Sequence, residues 1–408
     1  MFSDVKKILI VLCLFAQAQT LQAQTLEDAI LHVWKSSPEL KSEEKLVALT
    51  HTEKLRRFIP NNPQLTYSNT DNNTAQSYGA NISLAFPGKA LFMTHLDLAK
   101  EKMQKAELIA KRYELADIVI THYLDCSSTY LKIKLAEENA SDLEALERTL
   151  RARYESGVIT QSEIMSLQLQ MSQQQLELSQ LQEHAQVACD QLTQLVGQSP
   201  NSDYPLPDDL STNIVDQLGN ETADEAKAEA SIKLADAQYK TAWWNTFPDL
   251  NFGVSRNHYS YLPGSPNGQE FTTNYTASMT FPLFGIFHER VDVKRAKNEA
   301  IIQKGEARIQ SIAATSDKEE SKRSLLLNQA RLKQLRSHDL PLAQGLVDST
   351  LASYQAGKLG FAEILLARKT LLDIKSQDIQ LRNTIITSRF HSLYQENTTK
   401  TEKGNHTL

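Results

Sequence analysis

The chain alternates between two hydrophobic periods, and it does so twice. Residues 25–58 carry a helical pattern that opens at Thr25, with Asp28 three residues on, and is ended by Pro60 and Pro63. Beyond those prolines the period drops to two. Tyr78, Ala80, Ile82, Leu84 and Phe86 alternate with Gly79, Asn81, Ser83 and Ala85, which predicts a strand with one apolar and one polar face. From Pro87 to Gly157 no residue forces a break, so the pattern predicts one helix of roughly 100 Å at about 1.5 Å per residue. A heptad seam follows: Ile164, Leu167, Met171, Gln174, Leu178, Leu181, Ala185, Ala188, Leu192 and Leu195, with Gln174 its only polar member. A seam kept over several heptads predicts packing on another helix.

The second half repeats the plan. A helical stretch ending at Phe247 is stopped by Pro248; Leu250, Phe252 and Val254, then Tyr275, Ala277, Met279 and Phe281, resume the two-residue period. Turn-like segments, NTDNNTAQ and YLPGSPNGQ, join each strand pair, and each pair ends in Phe-Pro, at Phe86-Pro87 and Phe281-Pro282. The seam returns as Ile364, Ala367, Leu371, Ile374, Asp378, Leu381 and Ile385. Pro341 interrupts the second long helix, where a kink or restacking is expected, and the first half has no proline at the matching place. Between the long helices of each half lies one motif. Tyr154, Gly157, Glu163 and Ile164 recur 200 positions on as Tyr354, Gly357, Glu363 and Ile364. Each glycine follows the last periodic residue of a long helix, where a C-cap glycine belongs, so each motif is the tip of a helical hairpin. The fold class is mainly α with a small β part: duplicated long coiled-coil hairpins plus four strands.

Two readings fit those strands. They pack on the helices of the same chain, or they span a bilayer, for which their length and alternation suffice. Four strands close a barrel only with further copies of the chain.

The N-terminus favours export. Lys6 and Lys7 precede ILIVLCLFA, and Ala16-Gln17-Ala18 fits a cleavage site, giving a signal peptide over 1–18, with Ala23 as the other cut. Removing residues 1–18 takes away Lys6, Lys7 and Asp4 and moves the net charge from −6 to −7, which argues against nucleic acid as a partner. Cys126 and Cys189 then remain, inside long helical patterns, and read as small core residues rather than a disulfide framework. The remaining divisions are a first repeat over 24–198, with strand pair 64–86 and tip near 157, and a linker over 199–221. A second repeat covers 222–395, with strand pair 249–282 and tip near 357, and 396–408 is expected to be a disordered tail.

Chemistry is sparse. His288-Glu289 is followed by Arg290, Val291 and Asp292, so there is no H-E-x-x-H zinc motif, and G-x-S-x-G, P-loop and Rossmann patterns are missing too. Met93 with His95 reads as helix packing. No catalytic, cofactor-binding or metal residue is assigned, and no enzyme is expected.

Taken in order, these features resemble the TolC family of outer-membrane efflux proteins, most of all its heavy-metal (CzcC/CusC-like) branch. The resemblance rests on Pro38-Glu39-Leu40, the strands that start after Pro63 and Pro248, the Phe-Pro exits, and the two Y-x-x-G tips with Glu-Ile six residues past glycine. It implies a homotrimer in which each chain gives four strands to a β-barrel in outer-membrane lipid and its helices to a periplasmic α-helical barrel. It also implies a periplasmic adaptor (membrane fusion) protein and an inner-membrane pump of the RND type, with heavy-metal cations as cargo. Drug efflux or type I protein secretion is the alternative. By the same resemblance Tyr154, Gly157, Val158 and Thr160, with Tyr354, Gly357, Leu359 and Gly360, fall on the turns that meet the adaptor. Glu363 falls where the family has an aperture aspartate, and Leu366 where it has a second one, so a double acidic ring is not expected. A competing class is a periplasmic coiled-coil adaptor without a channel, although adaptors carry one hairpin and not two.

Overall fold

The computed structural model describes residues 25–56, 62–69, 75–197, 205–207, 210, 223–259, 270–280 and 285–396. The signal peptide, Pro60, Phe281-Pro282, most of the 199–221 linker and the tail beyond 396 lie outside the described residues. The chain forms two compact units: Met1–Ser37, Arg112–Asn220 and Ser316–Leu408 in one, Pro38–Lys111 and Glu221–Thr315 in the other.

In chain order the elements are α1 (Leu26–Ser36), α2 (Pro38–Arg56), β1 (Gln64–Asn69), β2 (Ala75–Leu84), α3 (Pro87–Glu155), α4 (Gln161–Val196), α5 (Ala223–Trp244), β3 (Asp249–Tyr259), β4 (Glu270–Thr280) and α6 (Gly285–Gln334). A π turn (Leu335–Asp339), α7 (Leu340–Gln355) and α8 (Phe361–Glu396) complete it. The fold is therefore mostly helical with one small sheet. Among the described residues no helix is long and apolar enough to cross a membrane.

The second unit holds the sheet, antiparallel throughout in the order β1-β2-β3-β4. The strand pairs of the two repeats meet at β2 and β3, where Ala80 opposes Val254 and Ile82 opposes Phe252. Strict alternation then gathers Leu65, Tyr67, Ile82, Leu84, Leu250, Phe252, Val254, Tyr275 and Met279 on one face. Leu65 and Tyr275 are 82% and 83% exposed, so the described residues leave this apolar face uncovered. The other face presents Thr66, Ser68, Ser77, Asn81, Ser83, Asn251, Ser255, Asn257, Asn274, Thr276 and Ser278, a row of hydroxyls and amides with the acidic positions Asp249 and Glu270 at its two ends.

An aromatic cluster anchors the sheet to the helices. The Trp244 ring stacks on Phe92 at 5.2 Å and on Phe247 at 4.7 Å, and Phe86 stacks on Phe247 at 5.7 Å. Gly88 is required by this packing, since a Cβ there would lie 2.1 Å from the Trp244 ring. The buried Lys89 donates to Asp249 Oδ1 at 3.0 Å, tying the start of α3 to the start of β3.

The first unit holds the hairpins. Along α4 the buried positions are Leu167, Gln174, Ala185, Ala188, Cys189, Leu192 and Val196, following the heptad seam. Its polar member is satisfied, because Asn139 Nδ2 of α3 donates to Gln174 Oε1 at 2.5 Å. A buried polar pair of this kind has to be made or the desolvation cost of both amides is left standing, so it selects one register of the hairpin. In α8 the polar seam position Asp378 receives a two-pronged bond from Arg336, with Nε to Oδ1 at 2.7 Å and Nη2 to Oδ2 at 3.2 Å. Arg336 lies in the π turn, where the Leu340 N–H donates to the Leu335 carbonyl, five residues back. Pro341 explains the turn: it has no N–H, and its ring crowds the carbonyl of Ser337, so the helix widens by one residue and continues. The interruption expected at Pro341 thus takes the form of a π turn.

The cysteines depart from the expectation. Cys126 of α3 and Cys189 of α4 form a disulfide, with Cα atoms 5.0 Å apart across a sequence separation of 63. Both are buried, as core residues would be, and the pairing of α3 with α4 brings them within bonding distance. Cross-linking so long a loop restricts the unfolded chain, a contribution of about 2–4 kcal/mol. Cys189→Ser is expected to lower the urea midpoint correspondingly, and reductant should destabilise the parent but not the variant. Equal midpoints in the two proteins would show that the bridge contributes nothing.

Candidate functional site

Both hairpin tips lie in the first unit, and the same backbone device builds them. In the first, Gly157 takes φ 74°; its N–H donates to the Tyr154 carbonyl at 2.8 Å and the Val158 N–H to the Arg153 carbonyl at 3.0 Å. In the second, Gly357 takes φ 73°, with Gly357 N–H to Tyr354 at 2.9 Å and Lys358 N–H to Ser353 at 2.9 Å. These paired bonds are a Schellman motif, which satisfies the last carbonyls of one helix while reversing the chain. A Cβ at either glycine would meet nothing within 4 Å, so the requirement is for the left-handed backbone and not for space.

Alike in backbone, the tips differ in what they bury. Tyr354, Phe361 and Ile364 of the second hairpin pack with Leu143, Leu146, Leu150 and Leu167 of the first into one core cluster. Their counterparts in the first hairpin are less buried: Tyr154 is 43% exposed where Tyr354 is 4% exposed, and Ile164 is half-buried where Ile364 is fully buried. Within the cluster the Tyr354 hydroxyl donates to Glu163 Oε2 at 3.2 Å. Arg153 lies over the Tyr354 ring, 4.6 Å from its centroid, while its Nη1 donates to the Tyr354 carbonyl at 3.0 Å. One carboxylate and one guanidinium of the first hairpin therefore hold one tyrosine of the second.

Among the tip residues singled out by sequence, Val158 is 61% exposed and Leu359 40%, and Tyr154, Gly157, Thr160, Gly357 and Gly360 are exposed as well. Tyr354 stands apart, facing inward. Glu363 is exposed, and Leu366 is 66% exposed. Arg153 escaped the sequence reading because it lies outside the duplicated positions, its counterpart being Ser353. That mismatch was the available signal that the two tips play different parts. Among the described residues, no group of three or more His, Cys, Asp or Glu side chains is placed to hold a metal ion.

The model of the outer membrane efflux protein family matches residues 60–198 and 215–394, the two repeats in turn. The chain belongs to the outer membrane efflux protein family. Its similarity to the pyoverdine export outer membrane protein OpmQ of Pseudomonas putida is 24% identity over 343 residues, covering 79% of this chain and 70% of OpmQ. Family folds are shared with solved structures at lower identity. CusC superposes with a TM-score of 0.72 at 16% identity, covering 91% of each chain. VceC of Vibrio cholerae gives 0.73 at 17%, covering 91% of this chain and 96% of its own. The channel OprN gives 0.71 at 14%, covering 91% and 90%.

Burial holds the Tyr354 phenol above its ordinary 10.0, Glu163 adds to the rise, and Arg153 opposes it. Desolvation lifts Tyr113, in the same unit, to about 12. A phenol raised in the folded state contributes stability that is complete below about pH 10 and is lost as the pH rises through its folded value. Tyr354→Phe is therefore expected to cost about 1 kcal/mol near neutrality, for the lost hydrogen bond. It should also flatten the loss of stability above about pH 10 relative to the parent. An unchanged alkaline profile in chemical unfolding would rule out a buried phenol at the tip.

Proposed function

We propose that three copies of this chain form an outer-membrane channel, passive in itself, that carries solutes outward from a periplasmic adaptor and an inner-membrane pump. The observation that carries the reading is the four-stranded sheet. One face is apolar and uncovered and the other is polar, which is the two-sided strand a lipid-embedded barrel requires. Trimer assembly finds support in α6, which leaves Ile301, Ile302, Ile309, Ile312 and Leu326 more than half exposed. Under this reading the exposed tip residues Tyr154, Gly157, Val158, Thr160, Gly357, Leu359 and Gly360 meet the adaptor, Tyr354 braces the tips from within, and Glu363 and Leu366 ring the aperture. An adaptor opens the tips only by binding the open form more tightly than the closed one. An RND-type pump is the partner the family resemblance suggests.

The repeat suggests how the ring closes. Within one chain Tyr354 meets Glu163; the reciprocal pair, Tyr154 and Glu363, is left exposed. In a ring of three chains each second hairpin meets the first hairpin of the next chain, and Tyr154 then faces Glu363 of its neighbour. Oxidation of a chain carrying Tyr154→Cys and Glu363→Cys together should give covalent dimers and trimers, while either single variant stays monomeric on a non-reducing gel. Monomers alone from the double variant would overturn this contact.

For the cargo, the heavy-metal reading rests on the branch resemblance. The likeness to a pyoverdine exporter favours a small organic solute instead. Deleting the gene separates the two: growth is tested against cobalt, zinc, cadmium, copper and silver salts beside dyes, detergents and antibiotics. Sensitivity to metals alone supports the first reading, and sensitivity to organic compounds alone supports the second. Recovery of the chain in a salt-washed periplasmic fraction, instead of the outer membrane, would overturn the channel itself.

A further inference from the structure

The apolar face of the sheet changes character along the strands. The rows Leu84–Leu250–Met279, Ile82–Phe252–Ala277 and Leu65–Ala80–Val254–Tyr275 carry no charge. The next two rows toward the hairpin connections read Tyr67–Tyr78–Arg256–Thr273 and Gln76–His258–Phe271. Arg256 is the only Arg or Lys on the strands among the described residues. It sits on the same face as the apolar rows, three residues from the end of β3, about 10 Å along a strand.

A cation so placed attracts an anion, and among the described residues no acidic side chain of the strands stands beside it. β3 is an inner strand, flanked by β2 and β4 of the same chain, so a neighbouring chain cannot pair beside it. The direct cross-strand neighbours of Arg256 are Tyr78 and Thr273, and its guanidinium lies 4.9 Å from the ring centroid of Phe271, which stacks on His258 at 4.5 Å. None of these is an acid. The acidic strand positions, Asp249 and Glu270, belong to the alternate register row, and Asp249 is engaged by Lys89.

We propose that Arg256, with Tyr78 and His258 beside it, binds a phosphate of an anionic lipid in the outer leaflet of the membrane, a site that rests on the barrel reading above. In that reading the connections after β1 and β3 face outward, so the two polar-aromatic rows stand at headgroup depth. An arginine is costly on a lipid-facing strand at the bilayer midplane and cheap at the interface, which fits its place beyond the three uncharged rows. The guanidinium matches a phosphate in two-pronged geometry, and its aliphatic stem lies along apolar surface while the charge reaches the headgroups. The Tyr67–Tyr78 pair, with ring centroids 5.1 Å apart, and Phe271 form the amphipathic flank that such an interface favours.

The test uses the full-length mature protein in neutral detergent, with the temperature of trimer dissociation read on gels. Three additives are titrated: a phosphorylated glycolipid such as lipopolysaccharide, the same glycolipid after enzymatic dephosphorylation, and inorganic phosphate. The phosphorylated lipid alone should raise the dissociation temperature. Arg256→Gln should need at least about tenfold more of it for half the effect, whereas Arg256→Lys, which keeps the charge, should stay within about threefold of the parent. An equal response of Arg256→Gln and parent overturns the site, as does an equal effect of dephosphorylated lipid or of inorganic phosphate. Failure of the barrel reading shows separately: the parent itself would then not sediment with outer membranes.

Discussion

The chain reverses from one long helix into the next through a single left-handed residue, Gly157 in the first hairpin and Gly357 in the second. A residue with a Cβ enters that region only at a cost, and the paired bonds from positions 157 and 158, and again 357 and 358, leave the turn no slack. Helix pairing on both sides depends on this reversal, because it sets which residues of α3 face α4 and which of α7 face α8. The Asn139–Gln174 pair and the Cys126–Cys189 bridge each demand one register, and both are met by hairpins reversed at these points. Moving either glycine by one position would rotate a whole seam by about 100° on a helix of 3.6 residues per turn.

Duplication supplies two tips with one backbone, and divergence gives them unlike surroundings. Arg153 and Ser353 occupy the same offset, yet Arg153 alone reaches across to clasp a tyrosine of the other hairpin. The result is a directional contact: the second tip gives a buried tyrosine, and the first tip receives it with Glu163 and Arg153. A directional contact within one chain leaves one donor face and one acceptor face free, and a closed ring is the arrangement that uses both without leaving an end.

Much of this architecture was legible because it follows from period and punctuation. The change from heptads to alternation marked the strands, glycine after a periodic run marked the tips, and Pro341 marked an interruption. The disulfide was not legible, since two cysteines 63 residues apart say nothing of distance until the seam places their Cα atoms 5.0 Å apart. Nor was the fate of the two tyrosines. Tyr154 and Tyr354 share every local cue, and only packing between hairpins, a long-range fact, buries one and leaves the other open. For the same reason Gln174 looked like a flaw in an apolar seam until its partner on α3 was known.

The two faces of the sheet divide the work of a passive conduit. The apolar face is where the chain gains from leaving water, and Arg256 lies beyond its three uncharged rows. The polar face carries mostly Ser, Thr and Asn side chains that bond water or solute equally well, and its Asp249 is already paired with Lys89. At the tips Glu363 and Leu366 are exposed, and a narrow ring of carboxylates there would favour cations whatever the sheet admits. Under the channel reading proposed above, discrimination would fall to the aperture residues Glu363 and Leu366 beside the second Schellman turn.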